Sequence, residues 1–105
     1  MTHELVVFVT TTNSEEAASI ADALVSERLA ACVNILGAIE SVYRWEGEVT
    51  RDREALMIIK TTDEKYQDLE QRVKGLHTYE TPEVIAIKID RGSSDYLSWL
   101  SDSVS

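Results

Sequence analysis

The stretch HTYETPE, at positions 77–83, concentrates side chains that could do chemistry. His77, Glu80 and Glu83 follow one another at intervals of three, and an imidazole with two carboxylates could bind a divalent metal ion or transfer protons. On a helix this spacing would place all three side chains on one face. Pro82, however, disfavours helical backbone at the residue before it, so we expect a turn that leads into a strand. A metal site, an acid–base pair and a purely structural turn are all compatible with the pattern.

Outside that stretch the chain has few soft metal ligands. Cys32 is the single cysteine, so one chain can form neither an internal disulfide nor a two-thiolate metal site. It follows two alanines at a predicted helix–strand junction, a context that is also typical of a small buried side chain. His3 is third from the N-terminus, where the amine, two amides and an imidazole form a square-planar nitrogen set that suits Cu(II) or Ni(II).

Tyr43 and Trp45 lie two positions apart and therefore face the same side of a predicted strand. Such a pair packs in a core or a subunit interface, or it forms the wall of a ligand site. The sequence contains no P-loop, no dinucleotide-binding glycine motif and no GxSxG nucleophile elbow. We therefore expect a binding protein, not an enzyme, and no organic cofactor.

The elements that must position these residues follow from the hydrophobic pattern. Leu5–Val9 is an unbroken apolar run, which predicts a strand buried on both faces. Asn13, with an acidic residue three positions later, predicts the start of a helix. Further strands are predicted at CVNIL, at IESVYRW, at EALMIIKTT and around Ile85–Ile89, and further helices from Asp63 to about Gly75 and from Ser93 or Ser94.

This order, β-α-β-β-α-β followed by a helix, predicts an α+β, ferredoxin-like domain over residues 1–105. Right-handed crossovers place both main helices on one face of an antiparallel sheet. Gly47 predicts the turn of the central hairpin, and the charged residues 51–54 are interpreted as its solvated tip. The hairpin arms are about ten residues each, longer than a small sheet needs, so we expect them to pair with another subunit.

The charge balance excludes several classes of partner. Ten basic residues against nineteen acidic ones give a net charge of −9 and a pI near 4.6. Binding to nucleic acid or to an anionic membrane surface requires a basic face, so we expect neither. The first residues lack the basic flank and cleavage site of a signal peptide, and no apolar run reaches membrane-spanning length. We therefore expect a cytoplasmic protein.

Five stretches between residues 29 and 100, taken in order, resemble the CutA family of divalent-cation-tolerance proteins. They are LAACVNI, SVYRWEGEV, LMIIKT, HTYETPEVIAI and DYLSWL. The resemblance implies a ferredoxin-like subunit that forms a compact homotrimer, similar in architecture to PII signalling proteins. In such a trimer the long second and third strands pair across subunits.

The resemblance also implies a ligand. The family is associated with copper tolerance and copper binding, which implies Cu(II) or another divalent cation. The motif positions in this sequence are Cys32, His77 and Glu83, and we take Glu80 and His3 as weaker candidates for metal ligands.

A second function is compatible with the same resemblance. The protein could be a PII-like trimeric regulator or scaffold that binds a small molecule or a partner in clefts between subunits. Tyr43 and Trp45 would then form the walls of the cleft, and metal binding would be incidental.

Overall fold

The computed structural model describes residues 3–105. Its elements are β1 (Glu4–Thr11), α1 (Ser14–Ser26), β2 (Cys32–Trp45), β3 (Glu48–Thr62), α2 (Asp63–Leu76), β4 (Val84–Lys88) and α3 (Ser94–Ser103). The four strands form one antiparallel sheet in the order β2-β3-β1-β4. This confirms the predicted α+β fold, with its βαββαβ order and C-terminal helix.

The main core lies between one face of the sheet and helices α1 and α2. From β1, the alternate residues Leu5, Val7 and Val9 point into it and are at most 4% exposed. They belong to one cluster with side chains of both helices, among them Ala17, Ile20, Ala21, Leu24, Leu69 and Val73. Because burying an aliphatic side chain contributes roughly 1.5–3 kcal/mol, this layer holds the helices against the sheet.

The opposite face of the sheet is largely open in the single chain, so one subunit by itself does not bury β1 on both faces as predicted. Val6, Phe8 and Thr10 point to this side and are only partly buried. The reason is that α1 and α2 both pack on the other side, while α3 contacts β1 and β3 near one end of the sheet. We call this surface the open face and define it by five residues: Val6, Phe8, Ile58, Ile85 and Ile87.

The β2–β3 hairpin is one continuous ladder, interrupted by a bulge between Leu36 and Ile39. At the bulge, Ala38 has a positive φ of 60°. The strands predicted at CVNIL and IESVYRW, which Gly37 separates in the sequence, are therefore one strand with a bulge, which bends the arm without ending it.

The turn of this hairpin is formed by Glu46 and Gly47, whose φ angles are 50° and 81°. A two-residue hairpin turn with positive φ at both positions favours glycine, which explains Gly47. The interpretation of residues 51–54 as the tip was wrong, because these residues belong to β3 and pair with β2. Glu54 in particular is only 8% exposed.

Two of the three helix starts follow the predicted capping chemistry. The Asn13 side chain accepts a hydrogen bond from Glu16 N at 2.8 Å, and Ser93 accepts one from Tyr96 N at 3.2 Å. The start of α2 differs by one residue, since Thr62 is the N-cap and Asp63 is already helical. The Thr62 side chain makes no capping hydrogen bond, so only the extended backbone of Thr62 marks the start of α2.

Candidate functional site

A cleft with a volume of about 920 Å³ opens between the β2–β3 hairpin and the loop that follows α2. The hairpin supplies Tyr43, Trp45 and Glu54 to its lining. The loop supplies Tyr79, Glu80, Thr81 and Glu83. The tertiary structure thus brings the aromatic pair and the two glutamates of HTYETPE into one site.

Hydrogen bonds from tyrosine hydroxyls hold two carboxylates beside the cleft. Tyr79 Oη donates to Glu54 Oε2 at 2.7 Å. Burial, together with this carboxylate, raises the pKa of Tyr79 to about 12, so the phenol stays protonated at neutral pH. Tyr43 Oη donates to Asp52 in the same way, and that bond raises the pKa of Tyr43. Both phenols therefore act as fixed donors and not as bases.

His77 lies beneath the loop, with its side chain fully buried. Its Nε2 donates to the carbonyl oxygen of Thr10 at 2.7 Å, and its Nδ1 accepts from Tyr79 N at 3.0 Å. Because a carbonyl can only accept and an amide can only donate, the proton is assigned to Nε2 and the lone pair to Nδ1. Both ring nitrogens are thus committed to the backbone, and His77 shapes the turn.

Glu16 fastens the same loop from helix α1. Its side chain is 12% exposed and accepts from Thr12 N at 2.9 Å and from Thr78 N at 2.8 Å. Burial by itself raises the pKa of Glu16, but these two amide bonds outweigh it and lower the pKa below the ordinary value. The sequence pattern indicated Glu16 as a helix-start residue but not as an anchor for a loop 62 residues away.

We expect Glu16→Gln to lower the free energy of unfolding at pH 7 by about 1–3 kcal/mol. Glutamine has one acceptor oxygen, so its NH₂ group must face the amide of either Thr12 or Thr78. Since the folded pKa is depressed, the stabilisation by Glu16 is present above its unfolded pKa, near 4.5, and is lost as pH falls through the folded pKa. Urea unfolding at pH 7 and at pH 3 measures both effects.

The matched control for this prediction is Glu15→Gln, one position earlier in the same helix turn, where the side chain is exposed. It should change the free energy of unfolding at pH 7 by no more than about 0.5 kcal/mol. Equal losses in the two variants would show that the bonds of Glu16 to the loop do not stabilise the fold.

Cys32 lies far from the cleft along the sheet. It pairs with Lys60 of β3, whereas Thr10, the partner of His77, pairs with Leu56. Lys60 and Leu56 lie four residues apart on β3, a distance of about 13 Å at the ~3.3 Å rise of a strand residue. Within residues 3–105 of one subunit the structure brings no three His, Cys, Asp or Glu side chains together as a metal site. Cys32, His77 and Glu83 therefore do not fit a metal ion within a single chain.

His3 lies between two carboxylates. Its Nδ1 is 2.8 Å from Glu64 Oε1, and its Nε2 is 3.4 Å from Glu4 Oε2. The hydrogen bond to Glu64 is the main cause that raises the pKa of His3. Met1 and Thr2 lie outside the described residues, so the predicted nitrogen set of the N-terminal amine and His3 is not described.

Sequence reasoning missed Glu54 and Tyr79 as members of the site. Tyr79 stands inside HTYETPE, but its aromatic ring gave no signal for metal or acid–base chemistry. Glu54 stands in a run of charged residues, where burial of one carboxylate cannot be read from composition.

Within residues 3–105 no helix has the length and apolarity needed to cross a membrane.

Comparison with known proteins identifies relatives that match nearly the whole chain. Residues 5–103 match the family model described as CutA1 divalent ion tolerance protein. The divalent-cation tolerance protein CutA of Thermus thermophilus is 49% identical over 100 residues, which cover 95% of this chain and 97% of that protein. The chloroplastic protein CutA of Arabidopsis thaliana is 50% identical over 99 residues, but the match spans only 54% of its length.

Solved structures agree with these sequence matches. The Thermus thermophilus divalent cation tolerance protein superimposes with a TM-score of 0.95 at 48% identity, covering 97% of this chain and 99% of that one. CutA1 from Oryza sativa gives a TM-score of 0.96 at 47% identity, with 99% and 95% covered.

Proposed function

The chain belongs to the CutA1 family of divalent ion tolerance proteins, and from this premise we propose that it acts as a homotrimeric, cytoplasmic binding protein without enzymatic activity. The observation that carries the proposal is the cleft between the hairpin and the loop after α2. Aromatic walls around a buried carboxylate are typical of a site that selects a ligand. This favours the PII-like regulator or scaffold over a dedicated copper carrier.

An uncovered apolar surface supports the trimer. By register, Phe8, Ile58 and Ile85 form one row across the open face, and Val6 and Ile87 lie in the next. Ile85 is 56% exposed and Ile87 59% exposed in the single chain. Contiguous exposed apolar side chains mark interaction surfaces, and a closed trimer covers three such faces at once.

The hairpin gives a second argument for assembly. Val42, Trp45 and Val49 are 52%, 58% and 70% exposed on arms that extend beyond the sheet core. β2 is also an edge strand, so its outer backbone groups are free to pair with another chain. We therefore propose that the hairpin pairs between subunits through β2 and residues 48–54 of β3, because residues 56–60 of β3 are already paired on both sides, with β1 and β2.

Direct binding of Cu(II) or another divalent cation is the second candidate, and the family to which the chain belongs supports it. His3 contributes through the N-terminal nitrogen set that the sequence predicts, because within residues 3–105 its imidazole is already bonded to Glu64 and no metal cluster forms around it. Cys32, His77 and Glu83 could contribute to a metal site only if the trimer brings them together from different subunits.

A metal titration separates the two candidates. We expect Cu(II) binding by the free protein to be strongly reduced by N-terminal acetylation, and the remainder to persist in Cys32→Ser and Glu83→Gln. Affinity that depends on His3 should already fall as pH drops toward 6.5, because the bond to Glu64 raises the pKa of His3 above that ordinary value and an imidazole must be deprotonated to bind a metal. Zn(II), measured in parallel, avoids copper-driven oxidation of Cys32.

One result would reverse the order of the candidates. If stoichiometric Cu(II) binding survives acetylation and disappears in both Cys32→Ser and Glu83→Gln, with the trimer intact, the family motif residues form a metal site between subunits. The copper carrier would then be the better function.

A further inference from the structure

We propose that the cleft takes a small aliphatic amine, whose ammonium group meets the carboxylates and whose methylene carbons lie against the aromatic walls. This inference rests on the proposed function, for which it names the class of ligand. It separates this protein from a regulator that binds phosphorylated nucleotides.

The charge of the lining selects cations. Glu46, Glu54, Glu80 and Glu83 line the cleft, and the lining includes no lysine or arginine. Carboxylates in a partly enclosed site attract a cation more strongly than they would on an open surface, and they repel phosphate. A nucleotide would therefore meet repulsion at every charged side chain of this cleft.

Glu54 points to a ligand because one of its carboxylate oxygens is held by Tyr79 while the other is left without a bond to the described part of the protein. It is 8% exposed, and only its Oε2 receives a hydrogen bond, from Tyr79. No residue within 3–105 donates to Oε1, and no basic side chain forms an ion pair with Glu54. Oε1 therefore remains accessible from the cleft that Glu54 lines, where an ammonium group can bond to it.

The aromatic walls suit the rest of such a ligand. Tyr43, Trp45 and Tyr79 line the cleft together with Glu54. The hydroxyls of Tyr43 and Tyr79 are bonded to Asp52 and Glu54, which fixes the direction of both rings. Aromatic faces attract ammonium groups and pack against methylene carbons, whereas a hydrated metal ion would gain little from them.

The test is calorimetric titration of the full-length protein with 1,4-diaminobutane at low ionic strength. We expect saturable binding that weakens as salt is added, since charge attraction is screened. Glu54→Gln should weaken it by about tenfold or more, because the amide keeps an acceptor for Tyr79 but loses the charge. Glu40→Gln is the matched control, as Glu40 lies on the same hairpin outside the lining, in an exposed pair with Arg51.

The outcomes separate this inference from the proposed function. Absent binding of the diamine, or equal weakening in Glu54→Gln and Glu40→Gln, overturns the inference. ATP binding as tightly as the diamine also overturns it, but leaves a ligand-binding trimer in place. Light scattering on the same samples tests the trimer itself, so a monomer would instead overturn the proposed function.

Discussion

Replacing His77 with alanine is expected to lower the free energy of unfolding by about 2–5 kcal/mol. The substitution removes a fully buried ring whose centroid lies 4.7 Å from that of Tyr79. It also leaves the carbonyl of Thr10 and the amide of Tyr79 without their partners. Urea unfolding at fixed subunit concentration measures the loss, because the stability of an oligomer depends on concentration.

Two further variants show which property of His77 matters. His77→Gln retains one donor and one acceptor and should recover part of the stability lost in His77→Ala. Glu80→Ala, in the same loop but exposed, should cost no more than about 0.5 kcal/mol. If His77→Ala were as stable as the wild type while Cu(II) binding was lost, His77 would be a metal ligand and not the structural centre of the loop.

Ile87→Lys is expected to dissociate the trimer. A trimer that covers the open face buries residue 87 once in each of its three subunits. A buried lysine without a partner costs several kcal/mol at each of these sites. Light scattering should show the mass falling from that of three chains to that of one chain of 11.8 kDa. The melting temperature should fall with it, because the wild-type trimer gains roughly 25 cal/mol for each Å² of apolar surface that it buries.

Val25→Lys is the matched control for this substitution. Val25 is also an exposed aliphatic residue, at 43%, but it lies on α1 and not on the open face. It should leave both mass and melting temperature nearly unchanged. A trimer that survives Ile87→Lys would show that subunits associate through another surface, such as the hairpin alone.

The sequence by itself determined the order of the elements, the fold, and the local signals at which a helix begins or a hairpin turns. Asn13 caps its helix and Gly47 makes its turn because these effects involve residues only a few positions apart. The stripe that contains Ile20 and Leu24 is buried as the helical period predicts. The five stretches that resemble the family also led to the right one, since they keep their order along nearly the whole chain.

The site was decided by contacts between residues far apart in the chain. His77 bonds to Thr10 across 67 positions, and Tyr79 bonds to Glu54 across 25. Such pairs depend on strand register and on the path of a loop, which the spacing of residues does not encode. The resemblance to the family grouped Cys32 with His77, whereas the register of the strands holds them at different levels of the sheet within one chain.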